Sequence, residues 1–493
     1  MLDFNAITQG YHRSLQTYIS KNTTARWEVA LKMKIPPIEK KYIFVGIGLI
    51  TLGMLVLIVL IRVATIAAGY KAKVLCSGVF VSNRQPDSIL NQELSDDIRI
   101  KAIKVDVNRQ EKTVTSFLWL IPLRKAVFRP KLGCTLAIDT SVDQLRVQAR
   151  ALLGVSSSQQ VNLLPTRTLS SPSSARLEKV LDDAFRENDP EKLKRTLAVV
   201  VVQEGHVIAE RYRGEITPQT PLAGWSMTKS VINALVGILV QEGKLSLQDQ
   251  KLIPQWQQIN EPRSQITLEQ LLQMSSGLKF QENYSNPLSD VVVMLFGRPD
   301  SADYAANKPL AFRSGAHWSY ASGTTNIISQ IVRQTIGGTN VDYWIFPRRK
   351  LFDRLGMSNS IMEVDAAGNF VGSSFMYATA RDWARFGLLY LQDGVWHGER
   401  ILPPNWVNYS VTPAPQAPFQ MYGAHFWLRI PSESGKSLSL QSLLPSDTFH
   451  ASGFQGQFVT IIPSKKLVIV RLGLSQSEAW NHEFFVRQIL EAL

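Results

Sequence analysis

The sequence predicts an α+β fold. The two ends of one large domain pair into a single antiparallel sheet, flanked by helices, with a helical region inserted between them. Three observations predict it. "LAVVVVQ" (197–203), Glu204-Gly205 and "HVIAERY" (206–212) read as strand, tight turn and strand. "FVTIIP" (458–463), "SKK" and "LVIVRLG" (467–473) read as a second hairpin at the far end. The residues between these hairpins are mostly of helical pattern. A membrane-spanning helix and a small strand-rich extension precede this domain.

Residues 1–41 form a short, mostly polar arm. Tyr42 to Ile61, "YIFVGIGLITLGMLVLIVLI", holds 20 residues without a charge. At 1.5 Å per residue a helix of that length covers about 30 Å, the hydrocarbon thickness of a bilayer. It lies too far from the N-terminus for a cleaved signal peptide. Lys32, Lys34, Lys40 and Lys41 precede the span, and Arg62, Lys71 and Lys73 follow more sparsely. The denser cluster places the N-terminus inside and the large C-terminal part outside. Residues 42–61 therefore read as a signal anchor in lipid, in a bacterial-type inner membrane, with the rest periplasmic or its equivalent.

Residues 62–153 alternate apolar and polar in short runs, such as "VLCSGVFVS" and "KAIKVDV", and read as strands. The chain has two cysteines, Cys76 and Cys134. In an oxidising compartment they can pair, closing a loop worth roughly 4 kcal/mol; the alternative is two unrelated buried thiols. Residues 154–174 include "SSSQQVNLLPTRTLSSPSS" and read as a linker. The main domain, 175–493, opens with "SARLEKVLDDAFREN", in which Leu177, Val180, Leu181 and Phe185 recur at helical spacing. It closes with the amphipathic "EAWNHEFFVRQILEAL" (478–493).

Charge excludes a nucleic-acid partner. Residues 168–493 carry 30 Lys/Arg against 29 Asp/Glu, so the net charge of +13 lies almost wholly before them. Metal chemistry finds no support either. The seven histidines show no H-E-x-x-H spacing and two cysteines cannot make a thiolate site. No phosphate-binding loop or dinucleotide fingerprint is present, and no cofactor is expected.

The chemical residues begin with "LAGWSMTKSV" (222–231). Ser226 and Lys229, three apart, face the same side of a first helical turn. Ile232, Leu235, Val236 and Leu239 continue one apolar face, and Gly243 supplies the stop. A hydroxyl at a helix N-terminus can be a nucleophile, and a lysine in apolar surroundings can be neutral and act as a base. The plainer alternative is a capping serine and a surface lysine. A second S-x-x-K, Ser276 to Lys279, contains Gly277 and lies in a loop-like stretch. In "HWSYASGTTNIISQIV" (317–332) Tyr320 precedes a small-residue turn and a helix, where it can relay a proton or simply pack. In "DTFHASGFQGQFVTIIP" (447–463) an edge strand bearing small residues can lend N–H groups to an oxyanion hole.

In order and spacing these three stretches resemble the serine-active penicillin-recognising superfamily. The resemblance covers about residues 170–493. It is closest to class C β-lactamase-like esterases and amidases, notably aminohexanoate-dimer hydrolases. "LEQLLQMSSGLKF" (268–280) and "MYATARDWARFGLLYLQDGVWHGERILPPNWV" (376–407) share that family's wording. The resemblance implies a β-lactamase/penicillin-binding-protein-like fold. It implies Ser226 as the acylated nucleophile, Lys229 as its base and Tyr320 as the proton relay. The N–H groups of Ser226 and Phe454 match the oxyanion hole, with Ser322, Ser452, Gly453 and His450 along the substrate.

Two departures bear on substrate. Ser322 stands where the family often has Asn, and Ala451-Ser452-Gly453 replaces K-T-G. Loss of that lysine, which receives the β-lactam carboxylate, favours a small ester, linear amide or short oligomer over a true β-lactam or peptidase substrate. His450 reads equally as a donor to substrate and as a structural histidine. Two other functions compete: a catalytically silent cell-envelope binding protein of the same fold, and an α/β-hydrolase triad using Ser226 and His450. The triad is disfavoured because "GWSMT" lacks the second Gly of G-x-S-x-G. Specificity is expected in loops 280–312 and 412–446.

Overall fold

The structure is a computed structural model. It describes residues 40–95, 97, 100–152, 154, 164–258, 260–430, 443–476 and 479–493. The expected arm 1–41, except its last two residues, lies outside the described residues. So do 155–163 of the expected linker and 431–442 of the expected specificity loop. The chain divides into two compact units, residues 1–62 and 63–493.

Helix α1 (Lys40–Phe80) begins in the first unit. From Ile47 to Phe80 it is long and apolar enough to cross a membrane, by length and composition. Leu49, Leu52, Leu55, Leu57, Ile58 and Leu60 are all exposed.

Within the second unit, "VLCSGVFVS" is helical through Phe80, not a strand as its short apolar runs suggested. The reason is its deeper periodicity. Ala68, Ala72, Leu75, Cys76 and Val79 recur at helical spacing and are buried on one face. The strands come later: β1 (Ile103–Asn108), β2 (Thr113–Leu118), β3 (Ile121–Arg129) and β4 (Gly133–Leu136) form an antiparallel meander. Cys76 and Cys134 are disulfide-bonded across 6.0 Å between Cα atoms, fixing α1 to β4.

The large sheet has the predicted pairing. β5 (Thr196–Gln203) and β6 (His206–Tyr212) join β12 (Phe449–Gly453), β13 (Gln457–Ile462) and β14 (Leu467–Gly473) in the order β12-β13-β14-β5-β6. All neighbours are antiparallel, and β14 pairs with β5 so that Val470 faces Val200. Glu204 and Gly205 both have positive φ, as a two-residue turn between twisted strands requires.

The sheet is covered on both faces, so its inner strands β5, β13 and β14 are buried nearly throughout, whereas the edge strand β6 alternates. Val199, Val201, Ile469 and Ile462 pack with helices α2 (Ser171–Phe185) and α6 (His482–Ala492). Val200, Val202, Val468 and Val470 belong to the main core on the other face. There lie α3 (Thr228–Gln241), α4 (Ser322–Ile336) and α5 (Ala380–Leu391). Short strands β7 (Leu222–Ala223), β8 (Ile361–Met362) and β9 (Met376–Ala378) form a second small sheet in the order β7-β9-β8, and β10 (Val395–Trp396) pairs with β11 (Glu399–Arg400).

α3 is buried beyond the one apolar face marked by Ile232, Leu235, Val236 and Leu239. Residues 228–239 are buried all round, so it is the central helix. Its polar residues are paired accordingly: Asn233 bonds Ser410, the Ala424 carbonyl, Tyr390 and Trp406.

Glu363 ties α1 to the large domain. Its buried carboxylate accepts from Lys73 Nζ, from Ser77 Oγ at 2.9 Å and from the Cys134 amide at 2.6 Å. Lys73 Nζ also lies 4.0 Å from the centre of the Phe375 ring. Removing one member of a buried pair strands the other charge, at a cost of about 3–5 kcal/mol. Glu363→Ala is therefore expected to lower unfolding free energy by about that amount in chemical denaturation. The double variant Glu363→Leu, Lys73→Met should recover much of the loss, because it buries no charge.

Candidate functional site

The site is built where β7, α3 and β12 converge. β7 delivers the chain into a single 3₁₀ turn, Trp225–Met227, and α3 follows at Thr228. Ser226 thus sits one turn ahead of the α-helix rather than within it. Trp225 has φ of +47°, a left-handed conformation uncommon for a bulky residue. Such strain persists only where surroundings impose it. Here the Trp225 carbonyl accepts from Thr228 Oγ1 at 2.6 Å, and its ring packs on Phe375 and Phe454.

Lys229 is 1% exposed. Its Nζ lies 3.0 Å from Ser226 Oγ, 3.1 Å from Ser322 Oγ and 2.9 Å from the Ser373 carbonyl. Burial pulls its pKa down to about 8, against the opposing charge of Glu282. The Tyr320 ring centre lies 4.8 Å from the same nitrogen. Burial and the Glu282 charge raise the Tyr320 hydroxyl, and its interaction with Ser226 acts the other way.

The structure thus brings Ser226, Lys229, Tyr320 and Ser322 together. α4 supplies Ser322 from its first residue, immediately after Tyr320 and Ala321. Asn326, one turn further along α4, accepts from the Ser373 amide at 3.1 Å and so holds the carbonyl that receives Lys229.

β12 lies alongside. Gly453 faces the Ser226 turn: a Cβ there would stand 3.2 Å from the Ser226 nitrogen and would overlap the Gly224 carbonyl. A glycine is needed for that approach. Ser452 precedes it, opposite Phe458. Phe454 follows in the turn, its ring stacked on Tyr284 at 5.4 Å and edge-on to Trp225 at 5.6 Å. Tyr320 packs with Tyr422 and Trp427 on the opposite side.

His450 is not brought to Ser226. Its ring is buried, with Nδ1 2.9 Å from Thr460 Oγ1, which in turn meets His482 Nε2 at 2.6 Å. Burial lowers its pKa to about 3, so it is neutral and part of the packing of the sheet. The other S-x-x-K is a loop: Gly277 has positive φ and Lys279 is exposed.

Three contributors escaped the sequence reading. Glu282 accepts from the Ser322 amide at 2.8 Å and from Ser322 Oγ at 2.5 Å. Desolvation raises its pKa, against the attraction of Lys229. It lies in the 280–312 stretch, where "ENYS" carries no recognisable spacing to Ser226. Ser373 acts through a carbonyl, which any residue possesses. His425 Nδ1 lies 3.0 Å from the Lys229 carbonyl and its Nε2 3.2 Å from Thr325, and burial lowers its pKa to about 3. It joins α3 to α4 behind the site, and its isolation in the sequence gave no signal.

The sequence and the fold have relatives. The 6-aminohexanoate-dimer hydrolase of Paenarthrobacter ureafaciens is 26% identical over 267 residues, covering 50% of this chain and 66% of that protein, just short of two thirds of its length. A solved structure from Bacillus anthracis, provisionally assigned as a 6-aminohexanoate-dimer hydrolase, superposes with a TM-score of 0.53 at 22% identity. It covers 68% of this chain and 88% of that one. A penicillin-binding protein homologue from Caulobacter crescentus gives 0.51 at 17% identity, over 66% of this chain and 99% of its own. Both structures speak for the fold. The family model described as beta-lactamase matches residues 181–493, a stretch that runs from α2 to the last helix and contains Ser226, Lys229, Tyr320 and the five-stranded sheet. The chain belongs to the beta-lactamase family.

Proposed function

We propose that this protein is a membrane-anchored serine hydrolase that cleaves an ester or amide through an acyl-Ser226 intermediate. The observation that carries this reading is the hydrogen-bond arithmetic at Lys229. A neutral amine has two N–H groups and one lone pair. The Ser373 carbonyl can only accept. Ser322 donates its own hydrogen to Glu282, so it too can only accept from Lys229. Both N–H groups are thereby committed, and the lone pair is left for the hydroxyl proton of Ser226. After that proton moves, the ammonium has three N–H groups for the same three acceptors. Both protonation states are satisfied without rearrangement, which suits a general base.

In this reading Lys229 takes the proton as Ser226 Oγ attacks the carbonyl carbon. The amides of Ser226 and Phe454 receive the developing oxyanion. Tyr320 passes a proton to the leaving oxygen or nitrogen. Water then attacks the acyl-enzyme, releasing the acid and restoring Ser226. The substrate is a small neutral ester, linear amide or short oligomer. Ala451 stands where a β-lactamase has its carboxylate-binding lysine, and His450 is buried and neutral. Residues 42–61 anchor the chain in lipid, with the hydrolase on the outer side of the membrane.

A fluorophosphonate should label Ser226 in the full chain, seen by mass spectrometry, and Ser226→Ala should abolish labelling. An unlabelled, folded protein would leave the non-catalytic binding function. Lys229→Ala and Tyr320→Phe should each lower turnover of a reactive ester by about 10²–10⁴-fold with the fold retained. The free enzyme's kcat/KM should rise with pH through about 8, because Lys229 must be neutral to accept the proton. Glu282→Gln removes a charge that favours the ammonium, so this limb should move to lower pH; an unmoved limb would dissociate Glu282 from Lys229.

A further inference from the structure

The turn between β2 and β3 is two residues long, Trp119 and Leu120, with Leu118 opposite Ile121. It sits within "FLWLIPL" (117–123) and carries the most exposed large apolar side chains among the described residues of the second unit. Trp119 is 81%, Leu120 93% and Ile121 66% exposed. Folding alone would not choose these residues. Trp119 has φ of +58°, at a turn position that favours glycine or asparagine. Among the described residues of the unit these three side chains stay exposed, while ordinary surfaces keep large apolar groups scattered.

Cations surround the tip. Lys101 and Lys104 are exposed at the start of β1, whose Ile103 lies opposite Leu118. Arg124 and Lys125 follow on β3, opposite Ser116 and Thr115. Along β1 to β3 the first carboxylate is Asp106, three positions beyond Ile103 and level with Lys125 across Thr115. An apolar point bearing tryptophan, collared by Lys and Arg, matches a bilayer interface: rings at headgroup level and cations among anionic headgroups.

The hairpin is also held close to α1. Lys71 donates to the carbonyls of Ile100 at 3.2 Å and Ile103 at 2.6 Å, fastening the tip end of the sheet. The opposite end, at Cys134, is bonded to Cys76, five residues further along α1. Within the second unit the tip end is therefore fastened to α1 at Lys71, ahead of the disulfide at Cys76.

We propose that the Trp119–Leu120–Ile121 tip inserts into the headgroup region of an anionic lipid bilayer, as a second membrane contact beside α1. This rests on the membrane anchoring proposed above. Two contacts hold a domain in a fixed orientation, whereas one helix leaves it free to rotate and lean.

The test uses the full-length chain in liposomes of phosphatidylcholine and phosphatidylglycerol containing doxyl-labelled lipid quenchers. The two native cysteines are bonded to each other, so a single introduced cysteine carries a nitrobenzoxadiazole probe. Leu120→Cys reports the tip, Leu55→Cys the helix, and Glu191→Cys an exposed control on the large domain. The expected result is several-fold quenching and a blue shift at 55 and at 120, and neither at 191. A quenched probe at 55 with a water-like probe at 120 would overturn the tip's insertion and leave the anchor intact. A water-like probe at 55 would overturn the anchoring, and the inference with it. A shift at 120 that vanishes as lipid is added at constant protein would assign the tip to a second copy of this chain and overturn the lipid contact.

Discussion

The site depends on one constraint: an amine held away from water must find its partners within the protein. Taking an ammonium out of water costs several kcal/mol even after relaxation, about the size of a domain's whole net stability. Lys229 therefore exists in this position only because Ser226, Ser322 and the Ser373 carbonyl are already there. Each of those is held in turn. Asn326 fixes Ser373, Glu282 fixes Ser322, and the strained Trp225 turn fixes Ser226. Four separate stretches of chain thus converge on one nitrogen.

The same physics explains why α3 is buried all round. A helix with one solvated face would give Lys229 a route to water and restore its ordinary pKa. Enclosure removes that route, and it obliges every other polar group on the helix to be satisfied internally. Asn233 bonds four partners, Ser230 donates to the His425 carbonyl at 2.7 Å, and His425 reaches back to the Lys229 carbonyl. Polar networks of this kind rigidify because a half-satisfied member is costly. Rigidity at α3 and α4 keeps the distances around Ser226 short.

A second buried charge organises a neighbouring junction of the unit. Glu363 gathers Lys73, Ser77 and the Cys134 amide, so α1, β4 and the loop leading to Phe375 meet at one carboxylate. The disulfide reinforces the same junction covalently. Phe375 in turn packs on Trp225 at 6.1 Å, beside the Ser226 turn. The C-terminal part of α1 and the strand meander are therefore part of the second unit's core and not a loose tether.

Much was legible in the sequence because it was local. Two hairpins announced themselves by apolar runs around short turns, the apolar helix by length without charge, and Ser226 with Lys229 by a spacing of three. Their order along the chain, with Tyr320 and Gly453, sufficed for the family. What failed was what depended on distant neighbours. "VLCSGVFVS" looked like a strand because short apolar runs do not reveal which period will be buried, and contact with β4 decided for the helix. His450 lies next to "ASG" in sequence, yet alternation along β12 turns its ring toward Thr460 and His482. Glu282 has no sequence spacing to Ser226, since it reaches Lys229 through Ser322 on another helix. Local pattern thus determined most of the elements and marked the candidate side chains of the site. The tertiary structure decided the ionisation of Lys229, because a pKa is set by everything that surrounds a group, and those surroundings come from the whole chain.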